Sequence, residues 1–150
     1  MAIAIREALG EQRLSWLRSL SRIQIHGSMA LAHASPSSLR RAPVPDASDA
    51  ELSSTYTPLG RPTVVYAHIH RAFVRNVSGM VVVNTRSVGL SYEGDRRAAY
   101  LLMDDSKLER PRVEYHVDTE IKALAVCGLP HTAWVARSLQ LAAPQVPCAN

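Results

Sequence analysis

The segment Pro62–His70 constrains the fold of this chain more than any other part of the sequence. It begins with a β-branched and aromatic run, Thr63-Val64-Val65-Tyr66, and ends in His68-Ile69-His70. Such a run is typical of a buried strand. Alternate side chains of a strand point to the same face, so the spacing predicts that His68 and His70 project together from the strand's C-terminal end. Imidazole is the commonest protein ligand for metal ions, which makes this end a candidate metal site.

A third histidine, His33, also follows a short apolar run. Residues 22–26 and 29–33 flank Gly27-Ser28, which predicts a tight β-hairpin whose second strand ends at His33. If this strand and the strand before His68 are neighbours in one sheet, their ends lie about 5–10 Å apart and the three rings can converge. Because the chain has six histidines, chance is the alternative explanation for the His-x-His spacing of His68 and His70. We expect the remaining three histidines to be structural: His26, His116 and His131.

The other patterns along the chain predict an α+β fold without internal repeats. We expect helices over residues 11–20, from a cap at Asp46 or Ser48 to about residue 55, from a cap at Asp118 to about residue 127, and over residues 131–141. Gly10 separates residues 3–9, which we expect to be an additional helical piece or the remaining part of a longer element. We expect further strands over residues 71–75, 80–84, 98–104 and 111–117.

Composition favours one compact domain and argues against nucleic-acid binding and a membrane span. The chain has 150 residues, of which 47% are hydrophobic, enough for a real core. The net charge of +4 is scattered and aromatic residues make up 5%, so we expect no nucleic-acid binding. No apolar run approaches the roughly 20 residues that a membrane span needs. The two cysteines, Cys127 and Cys148, form no C-x-x-C pair, which favours a reduced, cytoplasmic setting.

Three motifs occur in one order along the chain: His33-Ala34-Ser35-Pro36, then Ala67-His68-Ile69-His70, then Asn84-Thr85-Arg86-Ser87-Val88-Gly89. This order resembles the C-terminal half of calcineurin-like metallophosphoesterases, in their bacterial and archaeal phosphodiesterase-type branch. That family carries His-Gly-Ser/Thr-Pro, Gly-His-Thr/Ser-His and Asn-Pro-Gly-Ser-Val-Gly at about these intervals. The resemblance implies a partial two-sheet β-sandwich flanked by helices. Residues 1–141 would be an incomplete phosphoesterase domain, and residues 142–150 a flexible tail.

The resemblance also implies a centre of two divalent metal ions (Mn, Fe or Zn) that hydrolyses phosphate esters. His33 and His68 would serve one ion and His70 the other, with a bridging hydroxide that attacks phosphorus. In the third motif, Thr85-Arg86 stands where the family has Pro-Gly. Arg86 is a candidate for binding an anionic substrate, and the alternative is a solvated loop arginine.

The motifs of the family's first half, among them Asp-x-His and Gly-Asn-His-Asp/Glu, do not occur in this sequence. In the family they supply the bridging carboxylate, further metal ligands and the acid that protonates the leaving group, so no catalytic residue is assigned here. We expect a fragment with an incomplete ligand set and little or no activity alone. Its partners would be a separate N-terminal half, or a second copy through self-association. The alternative is a non-catalytic interaction or regulatory module that keeps the fold.

Overall fold

The computed structural model describes residues 2–104 and 107–146; Cys148 lies outside these ranges. The helices are α1 (Ala2–Ser19), α2 (Asp49–Tyr56), α3 (Val117–Val126) and α4 (Thr132–Leu141). The strands are β1 (Ile23–His26), β2 (Met29–Ala32), β3 (Thr63–Tyr66), β4 (Phe73–Val77), β5 (Met80–Asn84), β6 (Ala98–Ala99), β7 (Leu102–Asp104), β8 (Lys107–Glu109) and β9 (Arg112–Val113). The α+β class predicted from the sequence is confirmed.

Five strands form one mixed sheet in the order β1-β2-β3-β5-β4. The three central strands, β2, β3 and β5, are parallel, and the two outer strands are antiparallel to their neighbours. The register places Ala32 beside Tyr66 and Tyr66 beside Asn84. The three parallel strands therefore end level with one another. The residues that follow each of them meet at a single edge of the sheet.

Several local predictions are confirmed, because each depends on a turn or cap residue that is adjacent in sequence to the helix or strand concerned. β1 and β2 form the expected hairpin around Gly27, which takes a φ of 55°. Gly10, at φ 70° and ψ 164°, divides α1 into the two expected helical pieces. Ser48 is the cap of α2, and its Oγ accepts a hydrogen bond from the Glu51 N–H at 3.1 Å.

Two predictions in the second half of the chain are wrong. Strands were expected over residues 98–104 and 111–117, but the chain turns more often there. It forms four short strands, with β6 paired to β9 and β7 paired to β8. Asp118 was expected to cap α3. The cap position is His116, whose side chain makes no capping bond, and Asp118 lies in the helix's first turn.

The hydrophobic core lies between one face of the main sheet and α2. Ala30, Val64 and Val82 point from adjacent strands toward Leu52 of α2, and all four are fully buried. Burying a leucine side chain contributes about 1.5–3 kcal/mol. Packing against α2 thus fixes the position of the parallel strands β2, β3 and β5.

Two buried tyrosines hold the long connection between β2 and α2 against this core. Tyr56 Oη donates to the Ala34 carbonyl at 2.8 Å, and Tyr66 Oη donates to the Pro43 carbonyl at 2.6 Å. Their rings pack at a centroid distance of 5.0 Å. Burial raises the pKa of both phenols well above the usual value, so both remain donors at neutral pH. The bond to Ala34 fixes the backbone directly after His33.

Ala142, the C-cap residue of α4, is buried, and its carbonyl accepts a hydrogen bond from the Gly94 N–H at 2.9 Å. Of the predicted flexible tail over residues 142–150, residues 147–150 lie outside the described ranges, and the tail stays a prediction. Within residues 2–104 and 107–146, no helix combines the length and apolar character needed to cross a membrane.

Replacing Tyr56 by Phe tests the bond to Ala34. We expect Tyr56→Phe to lower the free energy of unfolding by about 1–3 kcal/mol, because the buried carbonyl of Ala34 loses its donor. Urea denaturation measures the change. Tyr100→Phe is the matched control, since Tyr100 is 44% exposed and should change stability by under about 0.5 kcal/mol. Equal stability of the two variants would contradict the role given to the Tyr56 hydroxyl.

Candidate metal centre

His33 and His68 meet at the edge where the parallel strands end. His33 follows β2 directly, and its carbonyl accepts a hydrogen bond from the Ala67 N–H at 3.1 Å. His68 Nδ1 lies 3.1 Å from His33 Nε2, with the ring centroids 5.0 Å apart and the rings tilted by 73°. One of these nitrogens therefore carries a proton and donates a hydrogen bond to the other.

This separation fits two ligands of a single metal ion. A ring nitrogen binds zinc at about 2.0–2.1 Å, so two nitrogens on one ion lie roughly 2.9–3.4 Å apart. Binding would have to displace the proton that the two rings share. Burial, followed by the charges of His68 and His70, lowers the pKa of His33 below its ordinary value of 6.5. His33 is accordingly neutral at pH 7, as a metal ligand must be.

His70 is held in one tautomer by a backbone carbonyl. His70 Nδ1 lies 2.6 Å from the Leu90 carbonyl oxygen, which can only accept, so Nδ1 carries the proton. The Tyr92 ring stacks on the His70 ring, with centroids 4.9 Å apart and planes 22° apart. In neutral imidazole the other nitrogen, Nε2, then has a free lone pair. A histidine fixed in this way by its second nitrogen is typical of metal ligands.

The structure places His68 and His70 beyond the strand, not on it. β3 ends at Tyr66, and the two histidines have left-handed backbone with φ of 59° and 58°. The Ile69 N–H donates to the Ala67 carbonyl at 2.6 Å, which makes a tight turn between the two histidines. The alternation argument for their direction is therefore wrong. The three histidines nevertheless line one cleft of about 600 Å³.

Asn84, at the end of β5, joins two of the strand ends. Its side chain is fully buried. Asn84 Nδ2 donates to the Ala67 carbonyl at 2.5 Å, and Oδ1 accepts from the Arg86 N–H at 3.0 Å. Asn84 thus fixes the residue directly before His68. Sequence reasoning gave it no role, although a polar amide at the end of the apolar run Met80–Val83 is the signal that marks it.

Comparison with models of protein families and with curated proteins gives no match. Several solved structures match, and two of them are similar to most of this chain. One is a metallophosphoesterase from Sphaerobacter thermophilus, with a TM-score of 0.76 and 21% identity over 91% of this chain. The other is a hypothetical protein from Pyrococcus horikoshii OT3, with a TM-score of 0.78 and 18% identity over 93% of this chain. The chain has a metallophosphoesterase-like fold.

The metallophosphoesterase-like chain spans 63% of the length of the first neighbour and 57% of the second. The fold expected from the three motifs is therefore confirmed as a partial sandwich. Over residues 2–104 and 107–146, no three His, Cys, Asp or Glu side chains lie close enough together to hold a metal ion. A zinc site needs three or four protein ligands. The pair His33–His68 offers two ring nitrogens, fewer than such a site needs.

Arg86, the predicted substrate-binding residue, lies inside the protein. Its side chain has no exposed surface, and it contacts Ser91, Glu93 and Asp95. The alternative reading, a solvated loop arginine, is wrong. Substrate binding by Arg86 stays a prediction. The sequence signal for its burial is the pair of carboxylates that follows it, Glu93 and Asp95, since a buried charge needs compensation.

Replacing Asn84 by Ala tests the link between β5 and His68. We expect Asn84→Ala to lower the free energy of unfolding by about 1–3 kcal/mol, because the Ala67 carbonyl and the Arg86 N–H both lose a partner. Thermal unfolding measures the change. Asn76→Ala is the matched control: Asn76 is an exposed residue on the neighbouring strand β4. A loss no larger than that of the control would show that the strand ends hold together without Asn84.

Proposed function

We propose that this chain contributes part of a metal-dependent phosphoesterase site. His33 and His68 bind one divalent ion, and His70 binds a second. The observation that carries the proposal is the 3.1 Å separation of His68 Nδ1 and His33 Nε2 at the carboxyl edge of parallel strands. The metallophosphoesterase-like fold supports it, because the histidines stand where the sequence motifs of such enzymes place ligands.

When bound, divalent ions polarise the phosphoryl oxygens and supply a hydroxide that attacks phosphorus. The protein's own residues prepare the ligands. Burial keeps His33 neutral at pH 7, so its lone pair needs no deprotonation from a charged form. The Leu90 carbonyl keeps the proton of His70 on Nδ1, which leaves Nε2 free. Imidazole ligands suit Zn and Fe, and Mn is the third candidate.

The chain needs further ligands from outside its described residues. Two imidazoles leave most of a divalent ion's charge and coordination sphere unmatched, because such ions also take carboxylate or water oxygens. We propose that another polypeptide segment supplies them, either a separate N-terminal half or a second copy. The chain alone then binds metal weakly and has little or no activity.

A non-catalytic interaction module is the second candidate. One observation favours it: α1 has no buried residue, and Ile3 and Trp16 on it are 74% and 62% exposed. A helix with unpacked apolar side chains suits contact with another protein. In this alternative the histidines have no role in binding.

Calorimetric titration with Zn²⁺ and Mn²⁺ tests the metal site. We expect weak binding that His33→Ala and His68→Ala each reduce at least about tenfold, the lower limit for loss of even an outer partner of a ligand. His26→Ala is the matched control. His26 is an exposed histidine at the β1–β2 turn, and its Nε2 lies 3.3 Å from Gln24 Oε1. Absence of binding, or equal losses in all three variants, would contradict the metal proposal and leave the interaction module.

Hydrolysis is measured with bis(p-nitrophenyl) phosphate, with and without a complementing polypeptide. A suitable partner is the part of the Sphaerobacter thermophilus metallophosphoesterase that this chain does not match. We expect hydrolysis only when both polypeptides and metal are present, and none with the His33→Ala chain. Equal hydrolysis by wild type and His33→Ala would contradict a role for this site.

A further inference from the structure

The loop after β5 has two sides with different contacts. Leu90 and Tyr92 face His70. Ser91, Glu93 and Asp95 face Arg86. The residues that contact His70 and those that contact Arg86 alternate along residues 90–95, so one short segment contacts both side chains. The loop therefore lies between the buried Arg86 and the histidine.

On the histidine side, the contacts come from both backbone and side chains. The Leu90 carbonyl accepts from His70 Nδ1 at 2.6 Å, and the Tyr92 N–H donates to the His70 carbonyl at 3.2 Å. The Tyr92 ring stacks on the imidazole. Glu93 Oε1 accepts from the Ala72 N–H, two residues further along. The conformation of His70 thus depends on where residues 90–93 lie.

On the other side, one guanidinium group holds the same residues. Arg86 Nε donates to Ser91 Oγ at 3.0 Å, and Nη2 donates to Ser91 Oγ at 2.5 Å and to the Asp95 carbonyl at 2.6 Å. Glu93 Oε2 lies 3.0 Å from Nε, and Asp95 Oδ2 lies 4.0 Å from Nη1. The Arg86 side chain has no exposed surface, while those of Glu93 and Asp95 are 21% and 19% exposed. A buried cation is stable only with such partners.

The backbone of Arg86 has an unfavourable conformation that these contacts must offset. Its φ is 74°, in the left-handed region, which glycine adopts without strain and a long side chain does not. By backbone preference alone, glycine would be the better residue here. The guanidinium contacts are the feature of the fold that offsets this cost.

We propose that Arg86 is a positioning residue for His70: by holding Ser91, Glu93 and Asp95, it places the Leu90 carbonyl and the Tyr92 ring so that His70 keeps Nδ1 protonated and Nε2 free. The inference rests on the proposed function only in taking His70 Nε2 to be the atom that binds a metal ion. The positioning itself is a property of the metal-free chain. It requires no contact between Arg86 and a substrate.

Arg86→Gly is the decisive variant, because glycine adopts the left-handed backbone without strain and lacks the side chain that carries the guanidinium. Side-chain ¹H–¹⁵N correlation spectra of the metal-free chain report the tautomer of His70, whose signals are assigned by their loss in His70→Asn. Arg86→Lys keeps the charge without the planar fork. The matched control is Arg97→Met, which removes an arginine that contacts the same Asp95 carboxylate at 2.8 Å but is 45% exposed.

We expect Arg86→Gly to raise solvent exchange of the His70 Nδ1 proton about fivefold to tenfold, the factor for loss of one hydrogen bond of ordinary strength. Both tautomers should become populated. Arg86→Lys should lie between Gly and wild type, Arg97→Met should equal wild type, and added methylguanidine should partly restore the Gly variant. An unchanged His70 spectrum in Arg86→Gly would overturn the proposal.

If Arg86→Gly does not fold, Ser91→Ala provides the test. It removes the hydroxyl that accepts both guanidinium donors and leaves the bond to Asp95. Faster solvent exchange of the His70 Nδ1 proton than in wild type supports the proposal, and an unchanged His70 spectrum overturns it. These readouts use no metal and no substrate. Failure of the phosphoesterase proposal therefore appears in calorimetry and hydrolysis, whereas failure of the positioning proposal appears in the His70 spectrum.

Discussion

The shared register of β2, β3 and β5 is the constraint on which the rest of this structure depends. Because the three strands are parallel and end level at Ala32, Tyr66 and Asn84, their following residues meet at one edge. The core under α2 fixes the strands. The hydroxyls of Tyr56 and Tyr66 fix the connection after β2. A shift of one residue in β3 would turn its core side chains to the opposite face and separate His68 from His33.

The sequence predicts the five strands of the main sheet and the meeting of His33 with His68, because apolar runs and turn residues are local signals. It does not give the left-handed backbone of His68 and His70, which arises from the turn at Ile69 and from the partners of His70 twenty residues away. It also does not give the burial of Arg86. An arginine in a loop is usually solvated, and only the folded path of residues 91–95 supplies compensating groups. The short strands between Ala98 and Val113 were not predicted for the same reason, since their pairing depends on non-local contacts.

The contacts that orient the histidines are more complete than the set of metal ligands. His70 has a carbonyl, an aromatic ring and, through the loop, a buried arginine to hold it. Asn84 holds the residue before His68. Yet the proposed metal site has only two ligands, His33 and His68, for an ion that needs more, within the part of the chain that the structure describes. A prearranged pair of this kind lowers the entropic cost of assembling a site from two polypeptides, which is why complementation is central to the proposed function.

X-ray absorption at the zinc edge tests this account most directly. With one equivalent of Zn²⁺ on the chain alone, the account predicts two imidazole nitrogens at about 2.0–2.1 Å and oxygen atoms from water in the remaining positions. In the His33→Ala, His68→Ala double variant the imidazole signal should be lost. A wild-type spectrum without imidazole ligands, or an unchanged spectrum in the double variant, would contradict the claim that His33 and His68 bind one ion together.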